Sequence, residues 1–523
     1  MDMEERYIAA ADLGSSQTRL TVARINGDDI QIQYYGETAS DGIRNSAVFN
    51  PKKAAEPLRK LISEAENELN IKILQVVVGL PRCDVRQENN SAKALRAVPD
   101  ECISETEVEE LKAIAQDDYP NIDPEKETLY GAVAQSFDCD DNFQIVENEI
   151  VGMVSREFTG NFKLFIGKKS PTKAIDKVFN NLEVAVAKKI FTPDALAKAV
   201  LTEDEKESGV ALIDFGGGAA SVTIYKGKIL RHYASIPFGG KTITDDIKNE
   251  CTISEELAEN IKLAYGACMP DRLQTLSEKI LQIEGEENMT GPKQIPVKYM
   301  SEIITCREQE IIDALLYEIQ QSGLADALRS GIVVTGGGAR MANLLPFIKE
   351  CSGYDARVGR PRHLFSMSGC PEANSATAVT SLGMILTAKA DPRLNCIDAR
   401  EDVAPAAEEV PVPEAEEVLE DGPEMQEEQT AEVPGTAATE PAGAEAAAEN
   451  AEPQEEQPTD LFGQPQEEPA AEKGGWWSRR KKQKPVKEKK QEKQHRGSLL
   501  GVQWKHIVDK MEDIYNEAGK EEV

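Results

Sequence analysis

The chain has 523 residues, 40 % hydrophobic and 29 % charged, enough for two or three domains with sizeable cores and too long for a small disulfide-stapled fold. A formal net charge of −33 at pH 7 argues against long-range attraction of the whole molecule to nucleic acid. Nine Cys without a C-x-x-C pair, only four His, an acidic start at Met1–Tyr7 and no apolar run near ~18 residues predict reduced cytosolic thiols, no zinc site, no secretion and no membrane span.

From Tyr7 the chain reads as a β-hairpin: Tyr7–Ala11, a turn at Asp12–Ser16, then Thr18–Ile25, with Asn26-Gly27 leading into a third strand at Ile30–Tyr35. Helical spacing fits Ala54–Leu69, Glu105–Gln116 and Thr172–Lys188. The opening pattern then recurs as Val210–Ile213, a turn at Asp214-Phe215-Gly216-Gly217-Gly218, Ser221–Tyr225, Lys226-Gly227 and Ile229–Ile236, which reads as an internal duplication. Further helices are predicted at Glu255–Tyr265 and Cys306–Gln320. A third glycine turn, Gly336-Gly337-Gly338, follows the strand Ile332–Thr335 and precedes the helix candidate Asn343–Lys349.

Near Arg400 the composition changes abruptly. Residues 1–400 carry 61 acids against 45 bases, whereas 401–470 carry 22 acids and no Lys or Arg, with ten Pro between Pro405 and Pro469. Such a segment cannot bury enough apolar surface to order itself, and 401–474 reads as a disordered acidic linker. Trp476-Trp477 and a basic tract follow, with ten Lys or Arg from Arg479 to Arg496. Helical periodicity returns at Ser498–Glu517, where Leu500, Trp504, Ile507, Val508, Met511, Ile514 and Tyr515 share one face.

Both hairpins break at an Asp followed by glycines and small residues. This pattern lets backbone N–H groups approach a polyphosphate closely while the Asp faces a metal ion or its water shell. A lone Asp-Gly turn is most often only a turn. Two at corresponding positions of a duplicated hairpin, joined by a third glycine turn, specify a nucleotide clamped between two lobes.

Asp12–Thr18 (DLGSSQT), Asp214–Gly218 (DFGGG) and Val333–Ala339 (VVTGGGA) resemble the two phosphate motifs and the adenosine motif of the actin, sugar kinase and heat-shock chaperone ATPase superfamily. Within that superfamily the chain is most similar to the FtsA family of bacterial cell-division proteins. The pointers are Leu201–Glu205 running into Gly209-Val210, Pro237-Phe238-Gly239-Gly240 with Thr244 and Asp245, Ile261-Lys262 before Tyr265-Gly266, and Ser375–Gly383. These cover roughly residues 5–390.

The resemblance implies a two-lobed α/β fold, actin-like and ribonuclease-H-like in its duplication. The first lobe would span 1–81, completed by 166–198 and 374–400, with an FtsA-type subdomain inserted at 82–165. The second would span 199–241 and 301–373, with a smaller subdomain at 242–300. It also implies ATP with Mg2+. Asp12 would hold the metal through water, with Asp214 the second candidate acid. Gly14, Ser15, Ser16, Gln17, Thr18, Gly216, Gly217 and Gly218 would hold the phosphates, and Gly336, Gly337 and Gly338 the adenosine. Glu259 and Lys262 would take the ribose and adenine edge, although their i, i+3 spacing also fits an ordinary surface ion pair.

Departures from the family bear on the chemistry. Many members have Lys where this chain has Gln17, so at most slow hydrolysis is expected. Gly240-Lys241-Thr242 imitates the end of a P-loop, but the first glycine of that motif would fall at Ser235, and the match is a decoy. Asn148–Gly152 resembles a loop of the inserted subdomain but lacks its usual Pro.

The terminal helix lies beyond a linker with no core, so its apolar face needs an outside partner. An anionic membrane surface fits, the basic tract adding attraction to anionic lipid; a protein groove remains the alternative, because the helix's polar face carries as many acids as bases. The resemblance implies a protein at the cytoplasmic face of the membrane at the division septum. There it would assemble with itself and with other division proteins, and hold the FtsZ C-terminal peptide. The alternatives are a pilus-assembly-type actin-like ATPase and a sugar or acid kinase; no dedicated substrate loop or carboxylate base for a kinase stands out.

Overall fold

The computed structural model describes residues 5–399 except 97, 141, 284–291 and 368. The acidic linker, the basic tract and the terminal helix face expected from 401 onward lie outside the described residues.

The strand Arg6–Leu13 pairs antiparallel with Gln17–Asn26, placing Asp12 opposite Arg19, and Gln17–Asn26 pairs antiparallel with Asp29–Ala39. On its other side Arg6–Leu13 runs parallel to Gln75–Gly79, which runs parallel to Ala185–Ile190. A second sheet repeats this order. Val210–Phe215 pairs antiparallel with Ala220–Lys226 and that with Ile229–Ile236, while Ile332–Thr335 and Ala356–Val358 add in parallel on the other side. The internal duplication read from the two hairpins thus extends to whole five-stranded sheets of one topology.

Helices cover these sheets, so the central strands read as unbroken apolar runs: Ile8, Ala9, Ala10 and Ala11 are fully buried. The helix Pro51–Leu69 turns Ala54, Ala55, Leu58, Leu61, Ile62 and Ala65 inward at i, i+3 and i+4 spacing. It starts where the Asn50 side chain caps the Lys53 N–H and stops at Asn70 in the left-handed conformation. Among the described residues no helix is long and apolar enough to cross a membrane, and all nine cysteines are unpaired.

One predicted helix is half strand. The helix expected over Thr172–Lys188 spans Lys169–Asn180, and Ala185–Ile190 is a strand beside Gln75–Gly79. Glu183 takes a left-handed φ of 58° between them. The apolar spacing of Ala185-Val186-Ala187 suits either element, and the open edge of Gln75–Gly79 decides for strand by offering backbone hydrogen bonds that a helix would forgo. The helix expected at Cys306–Gln320 begins earlier, at Val297, and the one at Asn343–Lys349 runs Leu344–Ser352.

Between the parallel strands of the first sheet, Val85–Leu95, Glu127–Cys139, Asn142–Ile145 and Glu157–Lys168 form a four-stranded antiparallel sheet. The helix Glu105–Asp117 lies on it, begun by a Ser104–Glu107 capping box. Phe137, Phe158, Phe162 and Leu111 fill a core of its own, with Phe137 and Phe162 edge to face at 5.9 Å. The family-like loop at 148–152 forms a short helix turn, Glu147–Ile150, ahead of Gly152 at a φ of 94°.

Candidate functional site

Parallel strands deliver their C-terminal ends to one place. Asp12 ends Arg6–Leu13, Arg82 follows Gln75–Gly79, Thr192 follows Ala185–Ile190, Asp214 ends Val210–Phe215 and Gly336 follows Ile332–Thr335; all line one cavity of about 390 Å3. Ligands of open α/β sheets bind at the carboxyl ends of strands, and the volume lies within the usual ligand range of roughly 300–1,000 Å3. Of the residues singled out from sequence, Asp12, Gly14, Ser15, Ser16, Gln17, Asp214, Gly216–Gly218, Glu259, Lys262 and Gly336–Gly338 line it together. Thr18 does not: it is fully buried, its hydroxyl 2.8 Å from that of Ser40.

The second glycine turn is held from behind. The N–H groups of Gly240 and Lys241, at the start of the helix Gly240–Cys251, donate to the carbonyls of Gly216 (3.0 Å) and Gly217 (2.7 Å). In a trans peptide the N–H points opposite to the C=O, so the N–H groups of Gly217 and Gly218 point away from that helix. That is the donor arrangement an anion needs. The P-loop look-alike Gly240-Lys241-Thr242 therefore acts as a brace for the turn. Ser16 and Ser15 face it from the first turn: a Cβ on Gly217 would lie 2.0 Å from Ser16 Oγ, and one on Gly218 2.7 Å from Ser15 Oγ. Ser15 Oγ is fixed by the Ser46 N–H at 2.9 Å.

Glu259 and Lys262 form their i, i+3 pair at 2.7 Å, but Lys262 is buried rather than on the surface. Its ammonium also donates to Gly240 O (2.9 Å) and Thr244 Oγ1 (2.7 Å), tying the helix Glu255–Tyr265 to the brace. The third turn is a single 3-10 turn, Gly337–Arg340; the helix after it starts only at Leu344.

Five charged residues of the cavity escaped the sequence reading: Arg19, Glu37, Arg82, Glu308 and Arg340. Arg82 forms an ion pair with Asp214 and lies 3.5 Å from Asp12, with Nη2 3.3 Å from Thr380 Oγ1. Burial disfavours its charge, but Asp214 and Asp12 outweigh that and raise its pKa. Arg19 lies 3.5 Å from the other oxygen of Asp12 and donates to Glu37 at 3.1 Å. Glu308, on the helix Val297–Gln321, is fully buried, and neither oxygen has a hydrogen-bond partner among the described residues. Burial pushes its pKa up to about 8, with Lys262 pulling the other way. Arg82 had a signal: it directly follows a strand ending in Gly79-Leu80-Pro81, the position in a parallel sheet where site residues gather. Glu308 had none, because a carboxylate within a long helix pattern is ordinarily solvated.

Nucleotide fits this donor set: glycine-lined turns, a cavity of suitable size and inward cations. A hydrated divalent ion fits less well, because the two acids that would receive it already carry the Arg82 guanidinium. Among the described residues no group of three or more His, Cys, Asp or Glu side chains is arranged to hold a metal ion.

A model of the family described as "Cell division protein FtsA" matches residues 211–383. The chain is 29 % identical over 370 residues to the cell division protein FtsA of Neisseria meningitidis, covering 70 % of this chain and 87 % of that one. It is 24 % identical over 368 residues to FtsA of Bacillus subtilis, covering 70 % and 80 %. Among solved structures, a chain of a PilM–PilN type IV pilus biogenesis complex superposes with a TM-score of 0.51 at 14 % identity, covering 73 % of this chain and 98 % of that one. The duplicated α/β lobes are those of the actin-like fold, and in sequence the chain is similar to the FtsA cell-division proteins of bacteria.

Proposed function

We propose that this chain binds ATP between the duplicated turns and tethers FtsZ filaments to the cytoplasmic membrane at the division septum, with ATP governing its self-assembly. The observation carrying this reading is the meeting of all three glycine turns in one cleft of a chain whose residues 211–383 match the FtsA family model. The N–H groups of Gly217 and Gly218 and the Ser15–Ser16 turn would bind phosphates. Lys262, Glu259 and Gly336–Gly338 would surround the nucleoside. With Gln17 in place of a lysine, hydrolysis would be slow at most. When bound, the nucleotide supplies a polyanion that both lobes can grip at once.

Self-assembly and contact with later division proteins would use the inserted four-stranded subdomain, where Leu95, Phe143 and Val154 are exposed. The FtsZ C-terminal peptide would dock on the subdomain over 242–300, whose described part contains the helices Gly240–Cys251 and Glu255–Tyr265 and the hairpin Ile280–Ile283 with Lys293–Pro296. The membrane surface would be held by Leu500, Trp504, Ile507, Val508, Met511, Ile514 and Tyr515 together with the basic tract.

Co-sedimentation with anionic vesicles, with and without purified FtsZ, tests the tether. FtsZ is expected in the pellet only when this protein is present, and a Trp504→Asp, Ile507→Asp double variant is expected to release both proteins at any salt, since charges in an inserted face cost about 1 kcal/mol or more each. FtsZ remaining in the supernatant with the wild-type chain would sink the reading.

A further inference from the structure

The cavity is electrically balanced by its own side chains. Asp12, Glu37, Asp214 and Glu259 stand against Arg19, Arg82, Lys262 and Arg340, while Glu308 holds its proton below about pH 8. A nucleoside triphosphate brings roughly four negative charges into this space, and such charge must be met when buried. Either a metal accompanies it or a resident cation changes partners. Arg19 is anchored to Glu37 as well as Asp12, Lys262 spends its donors on Glu259, Thr244 and Gly240, and Arg340 is exposed at the end of the third glycine turn, on the side given to the nucleoside.

Arg82 is placed differently. It bridges the two lobes, from the end of a first-lobe strand to Asp214 on the second. The hydroxyl of Tyr233 donates to its backbone carbonyl at 2.6 Å, holding the base of the side chain while the fork stays in the cleft. Its present partners are the two acids that a metal's water shell would otherwise occupy. A planar guanidinium pairs with phosphate as readily as with carboxylate, often through two parallel N–H bonds.

We propose that Arg82 is a phosphate-binding cation of this cleft: it turns from Asp12 and Asp214 onto the phosphates when a nucleotide binds, so that binding depends only weakly on a divalent metal. This rests on the nucleotide reading above. It supplies the positive charge that Gln17 does not, and it links nucleotide entry to release of the Arg82–Asp214 contact between the lobes.

Calorimetric titration of the full chain with ATP, in excess EDTA and in excess Mg2+, tests this with wild type, Arg82→Gln and Arg82→Lys. Wild type is expected to bind in EDTA within about tenfold of its Mg2+ affinity, since one cation is already resident. Arg82→Gln is expected to weaken EDTA binding by about 10- to 100-fold, the worth of a charge-assisted contact. It should weaken Mg2+-ATP binding less, because the vacated acids can then receive the metal. Arg82→Lys, which keeps the charge and protects folding should the glutamine variant fail, is expected to fall between them in EDTA. Arg82→Gln binding ATP in EDTA as tightly as wild type would overturn the proposal and leave Arg82 a clasp between lobes. So would a wild type that binds only with Mg2+. Absence of ATP binding by wild type in both buffers would instead overturn the nucleotide reading itself, and this proposal with it.

Discussion

Replacing Glu308 by Gln is expected to raise the stability of the folded body more at pH 9 than at pH 5, by a few kcal/mol. Glu308 is fully buried with both oxygens unpartnered among the described residues, and burial moves its pKa from 4.5 to about 8. An acid whose folded-state pKa lies above its unfolded value holds its proton more tightly when folded. Its contribution therefore favours the folded state at low pH, declines as pH rises from the unfolded value towards about 8, and becomes a full penalty above that. Across that window each pH unit costs the folded state about 1.4 kcal/mol. The glutamine is neutral throughout, so the difference between variant and wild type isolates this group from every other titration. At pH 5 both side chains are neutral in the folded state and the linkage penalty has only begun, under about 1 kcal/mol, so the two proteins should unfold at similar denaturant concentrations, apart from the cost of an unbonded amide, about 1–3 kcal/mol. That cost is the same at both pH values and drops out of the comparison. Urea unfolding monitored at pH 5, 7 and 9 gives the answer; a difference that does not change with pH would mean that Glu308 is charged and paired in the folded chain.

Two neighbouring glycines of the third turn are expected to part company. A Cβ on Gly338 would lie 2.0 Å from Cδ1 of Phe215, whose ring is fully buried. Neither can yield without moving the sheet strand that carries Asp214, so Gly338→Ala should lose about 1–3 kcal/mol of stability or more through overpacking. A Cβ on Gly337 meets no atom within 4 Å, and Gly337 has no positive φ, unlike Gly336 at 83°. Gly337 nonetheless lines the cavity, so Gly337→Val should fold with an unchanged melting temperature while its side chain takes space from the nucleoside. A loss of at least about tenfold in ATP affinity is expected, equivalent to roughly 1.4 kcal/mol. Thermal unfolding and ATP calorimetry on both variants separate the two effects. Undiminished binding by Gly337→Val would place the nucleoside elsewhere.

Much of the cleft was legible because its residues carry local rules. Asp12 and Asp214 each end a strand and precede glycines, and a turn that needs close backbone approach announces itself by composition at that position. The hairpins were legible for the same reason: alternation and an Asn26-Gly27 turn are properties of adjacent residues. Glu255–Tyr265 was readable as a helix to the residue, with Ser254 capping Leu257 N–H, because cap and periodicity are both local.

What the local rules left open was settled by neighbours distant in sequence. Ala185–Ile190 became a strand because Gln75–Gly79, some hundred residues earlier, has an edge to fill. Lys262 became a buried brace because Gly240 O and Thr244 Oγ1 lie within hydrogen-bond reach, whereas its spacing from Glu259 fits a surface pair equally well. Arg82 and Glu308 acquired their meaning only where strands from both lobes and a helix from the second converge, because the field at a side chain depends on which charges and how much water surround it. Composition by itself determined the acidic character beyond residue 400, and the glycine turns determined where a polyanion could be approached. Which cations would meet that anion was decided by tertiary structure, since charge pairing in a closed cleft is a property of distance and burial rather than of sequence order.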